Sequence, residues 1–349
     1  MRGFLRRFIC LALAILFPLC LCACGEQAEE AKSITPQGKA YFTYFDTVSY
    51  VYSYAGDSAE SFNSLSADVS HILSEYNILF DIYHEYSGVN NLCTVNKNAG
   101  GAPLEVDEKL ISFLLDAVEL YNTTKGEMNI MLGSVLSLWH ECREDGTRIP
   151  TEEELLEASG HTGISLLEID EENCTVRIAD EKASIDVGAF GKGYATEKAA
   201  EYLESAGAES YVLNVGGNIR IIGSKPDGSG WSTKIRDPFD EAGCAAALLL
   251  SNTSCVTSGI YERYFTVDGI KYHHIIDKDT LYPSAYYASV TVICKNSGLA
   301  DALSTALFCM SSEEGSALAE KLGAEVLWIY PDGSKEYTPG LSELILEIN

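Results

Sequence analysis

The chain has 349 residues, with 24 lysines and arginines against 51 aspartates and glutamates, a formal charge of −27 and a 46% hydrophobic content. That length and composition exclude a disordered chain and allow a sizeable core in one or two domains. The acidity argues against nucleic acid or anionic lipid as a partner, since phosphate-rich surfaces are bound through Lys and Arg; otherwise it serves solubility.

The first segment reads as a leader. Arg2, Arg6 and Arg7 form a basic stretch, and Ile9 to Leu21 is apolar but short of the ~20 residues that span a bilayer. Leu21-Cys22-Ala23-Cys24 has the small residues and cysteine of a lipobox. Residues 1–23 are therefore expected to be a lipoprotein signal peptide. An acylated Cys24 would hold the protein at the extracytoplasmic face of a bacterial cell membrane; the alternative is an ordinary cleaved signal. Removing the leader takes away three arginines and no acid, so the mature chain carries about −30. Residues 24–39 are polar and read as a tether, and the folded domain is expected over 40–349. Of the eleven cysteines, seven lie beyond the lipobox, scattered and without a CxxC pair. They read as free, mostly buried thiols rather than a disulfide framework.

Tyr41 to Tyr54 is aromatic and β-branched, which predicts paired strands broken at Asp46-Thr47. Leu65, Val69, Ile72, Tyr76, Leu79 and Tyr83 recur at helical steps, and Leu110, Leu114, Val118 and Tyr121 mark a second amphipathic helix over Asp107 to Asn122. A helix is expected from Tyr194 to Ser205, before Gly207. Short strands follow at 211–215, 219–222, 231–235, 245–250, 263–267 and 289–293. Helices are expected at 300–308 and, capped by Ser311 with Glu314, up to Leu322, then a final strand at 325–330. Helices among hairpin-like strands give an α+β fold, with two interlocked lobes rather than two sequential domains.

The richest segment is Asp186-Val187-Gly188-Ala189-Phe190-Gly191-Lys192-Gly193, between an apolar run and a helix. Backbone amides, a lysine and a helix N-terminus there can surround a phosphate; a purely structural turn is the alternative. It is not a Walker A loop. Asn214-Val215-Gly216-Gly217-Asn218 is a second loop of this kind. Thr257-Ser258-Gly259 with Tyr261-Glu262-Arg263, and Tyr272-His273-His274-Ile275-Ile276-Asp277, add hydroxyls and imidazoles. Adjacent histidines on a strand point to opposite faces, so only one can enter a shared site. Asp301 and Thr305 share a helix face at i and i+4, an oxygen set that suits Mg²⁺; a helix-terminal acid beside a packed threonine is the alternative.

Together these clusters resemble the ApbE family of flavin transferases, from about Tyr41 to the C-terminus. Phe45-Asp46-Thr47 resembles the family's early turn, and Phe80-Asp81-Ile82-Tyr83 with Ser87 and Asn96 its S-x-Y-x-x-x-S…N stretch. Gly126-Glu127-Met128-Asn129 to Leu138-Trp139 resembles G-x-F-D-P-T-V…L-W. Asp186 to Ala195 resembles D-x-G-G-x-A-K-G-Y-A, Asn214 to Asn218 the N-x-G-G-N loop, and His274 to Leu281 the H-I-I-D-P-x-T-G turn. Lys278 replaces the usual proline, Leu281 the glycine and Asn129 an aspartate. Because leucine resists a positive φ, that turn is expected to close differently.

The resemblance implies an ApbE/T-fold-like α+β fold of mixed antiparallel sheets with flanking helices. It also implies FAD as substrate, Mg²⁺ as cofactor, and transfer of FMN to a Thr or Ser hydroxyl of an acceptor protein, with AMP leaving and a phosphoester remaining. By family match the metal ligands are the Ala189 carbonyl, Asp301 and Thr305. FAD contacts are Phe45, Tyr83, Glu127, Met128, Asn129, Asp186, Lys192, Gly216, Gly217, Ser258, His274 and Ile275, with Phe45, Tyr83 and Met128 offering apolar surface to the rings. Catalysis falls to His274 and Asp301. An FAD pyrophosphatase yielding FMN and AMP, and a non-catalytic FAD-binding lipoprotein, are the alternatives. Implied acceptors are extracytoplasmic NqrC- or RnfG-like subunits or a small FMN-carrier domain. A cation is required in any case: two unit charges 4 Å apart interact by ~4 kcal/mol at an effective dielectric of 20.

Overall fold

Two strands, β1 (Gln37–Tyr44) and β2 (Thr47–Ser53), open the fold as the expected hairpin. The computed structural model describes residues 35–349; the expected signal peptide, the expected lipidation at Cys24 and the expected tether as far as residue 34 lie outside them. Because β1 already pairs at Gln37, the folded body starts before Ala40. The hairpin turn is Phe45-Asp46, both left-handed at φ 54° and 52°, as a two-residue turn matching strand twist requires.

Helix α1 (Ala59–Phe80) is capped by Ser58 and buries Val69, Leu73, Tyr76, Leu79 and Phe80. It stops before Tyr83, the last residue of the apolar periodicity. Asp81 turns extended and its carboxylate accepts the N–H groups of Tyr83 and His84, so Tyr83 lies on a loop. Next come α2 (Leu92–Lys97), β3 (Leu104–Glu105), α3 (Glu108–Thr123), α4 (Gly133–Asp145), α5 (Glu152–Ser159), β4 (Leu167–Asp170) and β5 (Thr175–Ile178). Of these, only α3 matches an element expected from an apolar stripe. Helix α5 starts at a full capping box of Thr151 and Glu154, a signal carried by spacing rather than by apolar periodicity.

Helix α6 (Gly191–Ser205) leads to β6 (Tyr211–Val215), β7 (Asn218–Ile222), β8 (Trp231–Arg236), β9 (Cys244–Leu250), β10 (Ser254–Gly259), β11 (Tyr264–Val267), β12 (Ile270–His273) and β13 (Ser289–Cys294). Then follow α7 (Ser297–Ala306), α8 (Ser312–Leu322), β14 (Glu325–Ile329), β15 (Lys335–Tyr337) and β16 (Ile345–Ile348). The strand expected to be last is thus followed by two more. The main sheet has eight strands in the order β1-β2-β6-β7-β10-β13-β14-β15, and every pairing in it is antiparallel. Small sheets β3-β5-β4, β16-β9-β8 and β11-β12 flank it.

Residues 36–349 form one contact unit, and two of its apolar cores meet at α7. The first joins α1, α3 and α6 around Phe80, Phe113, Phe190 and Tyr194, with Phe80 and Phe113 centroids 4.2 Å apart. The second joins α7, α8, β13 and β14 around Leu303, Phe308 and Trp328. Helix α7 belongs to both: Ala302 and Ala306 face the first core, Ala300, Leu303 and Leu307 the second. The seven described cysteines are free, and five of them are buried.

Candidate active site

The β1-β2 and β6-β7 turns lie side by side because β2 pairs with β6, Ser49 opposite Val215. Gly216 (φ 57°) packs so closely on Thr47 that a Cβ would strike its side chain, while Gly217 (φ 95°) faces open space. Phe45 is held in its left-handed conformation by its N–H donating to Asn77 Oδ1 at 2.7 Å. A bulky residue there is strained, a state that persists only where its surroundings enforce it.

Asn218 opens β7 next to the start of α6. That helix begins at Gly191 rather than Tyr194, which puts Lys192 and Gly193 in its first turn. A Cβ on Gly193 would collide with Asp301 Cβ and the Ser297 carbonyl, so α6 and α7 touch through bare backbone there. The Gly193 N–H is one of the first-turn donors that a helix leaves without an intrahelical partner. It donates to Asp301 Oδ2 at 2.7 Å, and the Ala189 carbonyl, which precedes the helix, accepts no backbone hydrogen bond among the described residues. Asp301 is 4% exposed. Burial pushes its carboxyl pKa up, against the Lys192 charge, the Gly193 N–H and the neighbouring Asn218 amide. Asn218 Nδ2 is itself buried and has no partner at full hydrogen-bond geometry.

Thr305 follows Asp301 by one turn of α7 and is half-buried. A buried carboxylate, an open carbonyl and a hydroxyl fit a hard oxygen-binding cation such as Mg²⁺. No group of three His, Cys, Asp or Glu among the described residues competes as a metal site. Ser258 does not reach outward: its hydroxyl shares a 2.7 Å hydrogen bond with Ser304, which also donates to the Asp301 carbonyl.

His273 and His274 divide between core and cleft, although only His273 is on the strand. His273 is buried, its Nε2–H donating to the Ser284 carbonyl at 2.9 Å while Nδ1 accepts from the Ile275 N–H. His274 lies past the end of β12, and its Nδ1–H donates to the Arg263 carbonyl at 3.1 Å. That hydrogen bond fixes the tautomer and leaves the Nε2 lone pair available. Close packing lowers the imidazole pKa to about 3; the Arg263 carbonyl opposes this, and the Arg263 and Lys192 charges add to it.

The departures from the family pattern resolve individually. Leu281 does adopt a positive φ, 64°, so the turn does not avoid the left-handed conformation as expected. It is held there by burial with Leu132, Val135, Trp139 and Ile276, and by its carbonyl accepting the Trp139 indole N–H at 2.9 Å. Lys278 lies 3.2 Å from Glu127 and 2.7 Å from Asp279. Burial raises the Glu127 pKa, and Lys278 opposes the rise. Asn129 caps a short helical turn through the Met131 N–H and donates to the Thr162 carbonyl at 3.0 Å, a donor role no carboxylate could fill.

The side chains of Met128, expected to offer surface to the rings, and of Ile275, expected as an FAD contact, are buried in the two cores. Asp186 serves its own loop, Oδ1 accepting the Gly188 N–H at 2.8 Å. His140 on α4 is a site residue that sequence reasoning does not find. Its Nδ1 lies 4.0 Å from Asp186 Oδ2 and 3.3 Å from the Tyr83 hydroxyl. It lines a cleft with Trp139, Arg143, Arg263, Phe265 and His274. Nothing in its spacing announces this, because His140 is a lone imidazole beside the buried stripe of Val135, Trp139 and Cys142 on α4.

Known proteins share this architecture. An ApbE protein from Thermotoga maritima superposes with a TM-score of 0.81 at 28% identity, covering 90% of this chain and all of that one. The flavin transferase ApbE of Vibrio cholerae superposes with a TM-score of 0.75 at 27% identity, over 89% of this chain and all of that one. Among curated sequences, the FAD:protein FMN transferase of Vibrio cholerae is 32% identical over 78% of this chain and 82% of its own length. That of Haemophilus influenzae is 29% identical over 91% of each. Fold and site thus define an enzyme of the flavin transferase class. The ApbE family model matches residues 45–328, and the chain belongs to that family.

Proposed function

We propose that the protein moves FMN from FAD onto a Thr or Ser hydroxyl of an acceptor protein, releasing AMP, in a Mg²⁺-dependent reaction. The observation that carries the reading is the buried Asp301 carboxylate accepting the first-turn Gly193 N–H of α6, with the Ala189 carbonyl just before that helix taking no backbone hydrogen bond. The Ala189 carbonyl, Asp301 and Thr305 would hold the cation, which when bound supplies charge neutralisation at the diphosphate. Lys192 and the loop amides bind the same phosphates. Phe45 and Tyr83 offer ring surface.

The neutral His274 imidazole takes the acceptor hydroxyl proton at Nε2. The hydroxyl oxygen bonds to the FMN phosphorus, the phosphoanhydride bond breaks, and AMP carries off its electron pair. Cys24 would tether the enzyme at the extracytoplasmic face of the membrane, where an NqrC- or RnfG-like acceptor is presented. The test mixes protein, FAD, Mg²⁺ and such an acceptor. A fluorescent acceptor band on a denaturing gel supports transfer; free FMN with no labelled band means hydrolysis instead.

A further inference from the structure

The described residues contain six arginines. Four are neutralised by glutamates: Arg148 by Glu154, Arg177 by Glu168, Arg220 by Glu197 and Glu204, and Arg236 by Glu241 and Glu262. The other two, Arg143 and Arg263, pair with no acid among the described residues, and both line the cleft that contains His274. In a chain of charge −27, unpaired guanidiniums gathered at one rim are conspicuous. They act together, since both charges influence Tyr83 and His140, against the acids Asp186 and Glu144. Glu262, next in sequence to Arg263, turns away to Arg236.

We infer that Arg143 and Arg263 recognise the acceptor protein, taking a carboxylate that it carries close to the accepting hydroxyl. The inference rests on the transferase reading above. Arg263 belongs to the exposed approach to the β11-β12 hairpin, where Tyr264 and Ile270 are also exposed. Arginine with exposed aromatic and aliphatic neighbours is the composition of protein–protein contact centres. The FAD phosphates already have Lys192 and the loop amides. His274 lines the same cleft as Arg143 and Arg263, so a hydroxyl brought to Nε2 sets its neighbours near these two residues. At ~3.3 Å per extended residue, an acid within about three residues of that hydroxyl is in reach. Planar guanidiniums suit such a carboxylate, forming paired charge-assisted hydrogen bonds.

The test uses the full chain, its Arg143→Gln and Arg263→Gln variants and the double variant. The acceptor probe is a purified NqrC- or RnfG-like domain with one accepting threonine and an acid within three residues of it, alongside the same domain with that acid changed to its amide. Fluorescent labelling gives the KM for acceptor, and flavin fluorescence gives the FAD affinity. The double variant should raise the acceptor KM about tenfold and leave FAD affinity within about twofold. The amide acceptor should show the same rise with the unaltered chain and little further rise with the double variant. An unchanged acceptor KM, additive losses, or an FAD affinity that falls in step would overturn the inference; the last would make the arginines phosphate ligands of FAD. No labelled band with the unaltered chain sinks the transferase reading as well, whereas labelling with an unchanged KM sinks only this one.

Discussion

At the residue scale, His274 gives the sharpest expectation. Its imidazole has a pKa of about 3 in the fold, against ~6.5 in an unfolded chain. Between those values only the unfolded chain takes the proton. The contribution is therefore complete above pH ~6.5 and is lost progressively as pH falls toward 3. In catalysis the same shift keeps Nε2 unprotonated, so kcat/KM should show no acid limb in the ordinary histidine range. A limb centred near pH ~6.5 would mean that the free enzyme does not hold the ring this way. His274→Ala should bind FAD normally and transfer slowly, by ~10²-fold or more; undiminished transfer would remove it as the proton acceptor.

Leu281 shows what sequence could not supply at this scale. The left-handed conformation costs ~1–2 kcal/mol for a residue with a Cβ, which is why a change of turn shape is the natural expectation. The missing information was tertiary, since the side chain fills a core beside Trp139. Emptying such a position costs ~2–5 kcal/mol. Leu281→Gly should therefore lose stability by ~1–3 kcal/mol in denaturant titration despite relieving the strain. A stabilised variant would show that the backbone strain outweighs the packing. Asp301 and Thr305, by contrast, were legible because i and i+4 spacing alone sets a shared helix face.

At the scale of elements, the site depends on how α6 and α7 are held together. Glu197 on α6 is buried, and its Oε2 accepts the Ser297 N–H at the start of α7 at 2.5 Å. Arg220 on β7, fully buried, lies 3.3 Å from the same oxygen. Burial raises the Glu197 pKa, opposed by that N–H and by Arg220. Stranding one partner of a buried pair costs ~3–5 kcal/mol, but Arg220 keeps Glu204 at 2.8 Å. Glu197→Gln should thus lower stability by less than that and, by loosening α7, weaken Asp301-dependent transfer more than FAD binding. Equal losses in both would argue for general unfolding. Gly193→Ala should be worse for activity, because its Cβ has no space against Asp301 and Ser297. The apolar stripes of α1 and α3 foretold those elements. Helix α4 and the α6–α7 contact were hidden, one because its buried positions are mixed with polar ones, the other because a close backbone approach leaves only a glycine in the sequence.

For the whole molecule, the net charge of −27 sets the terms. Asp301 is buried between two helices with no salt-bridge partner among the described residues, an arrangement that costs stability and that the proposed cation would relieve. An amide in place of the carboxylate would keep the shape and could still accept the Gly193 N–H without the buried charge. Asp301→Asn should therefore melt at the same temperature or a few degrees higher when metal-free, since ~1 kcal/mol moves a chain of this size by ~2 °C. Transfer should be abolished. Adding Mg²⁺ separates a metal ligand from a merely buried acid: a ligand bound at 100 times its Kd stabilises by ~2.7 kcal/mol. The unaltered chain should gain several degrees with Mg²⁺ and the variant little or nothing. Equal gains in the two proteins would place the cation elsewhere and leave Asp301 as a helix-joining acid.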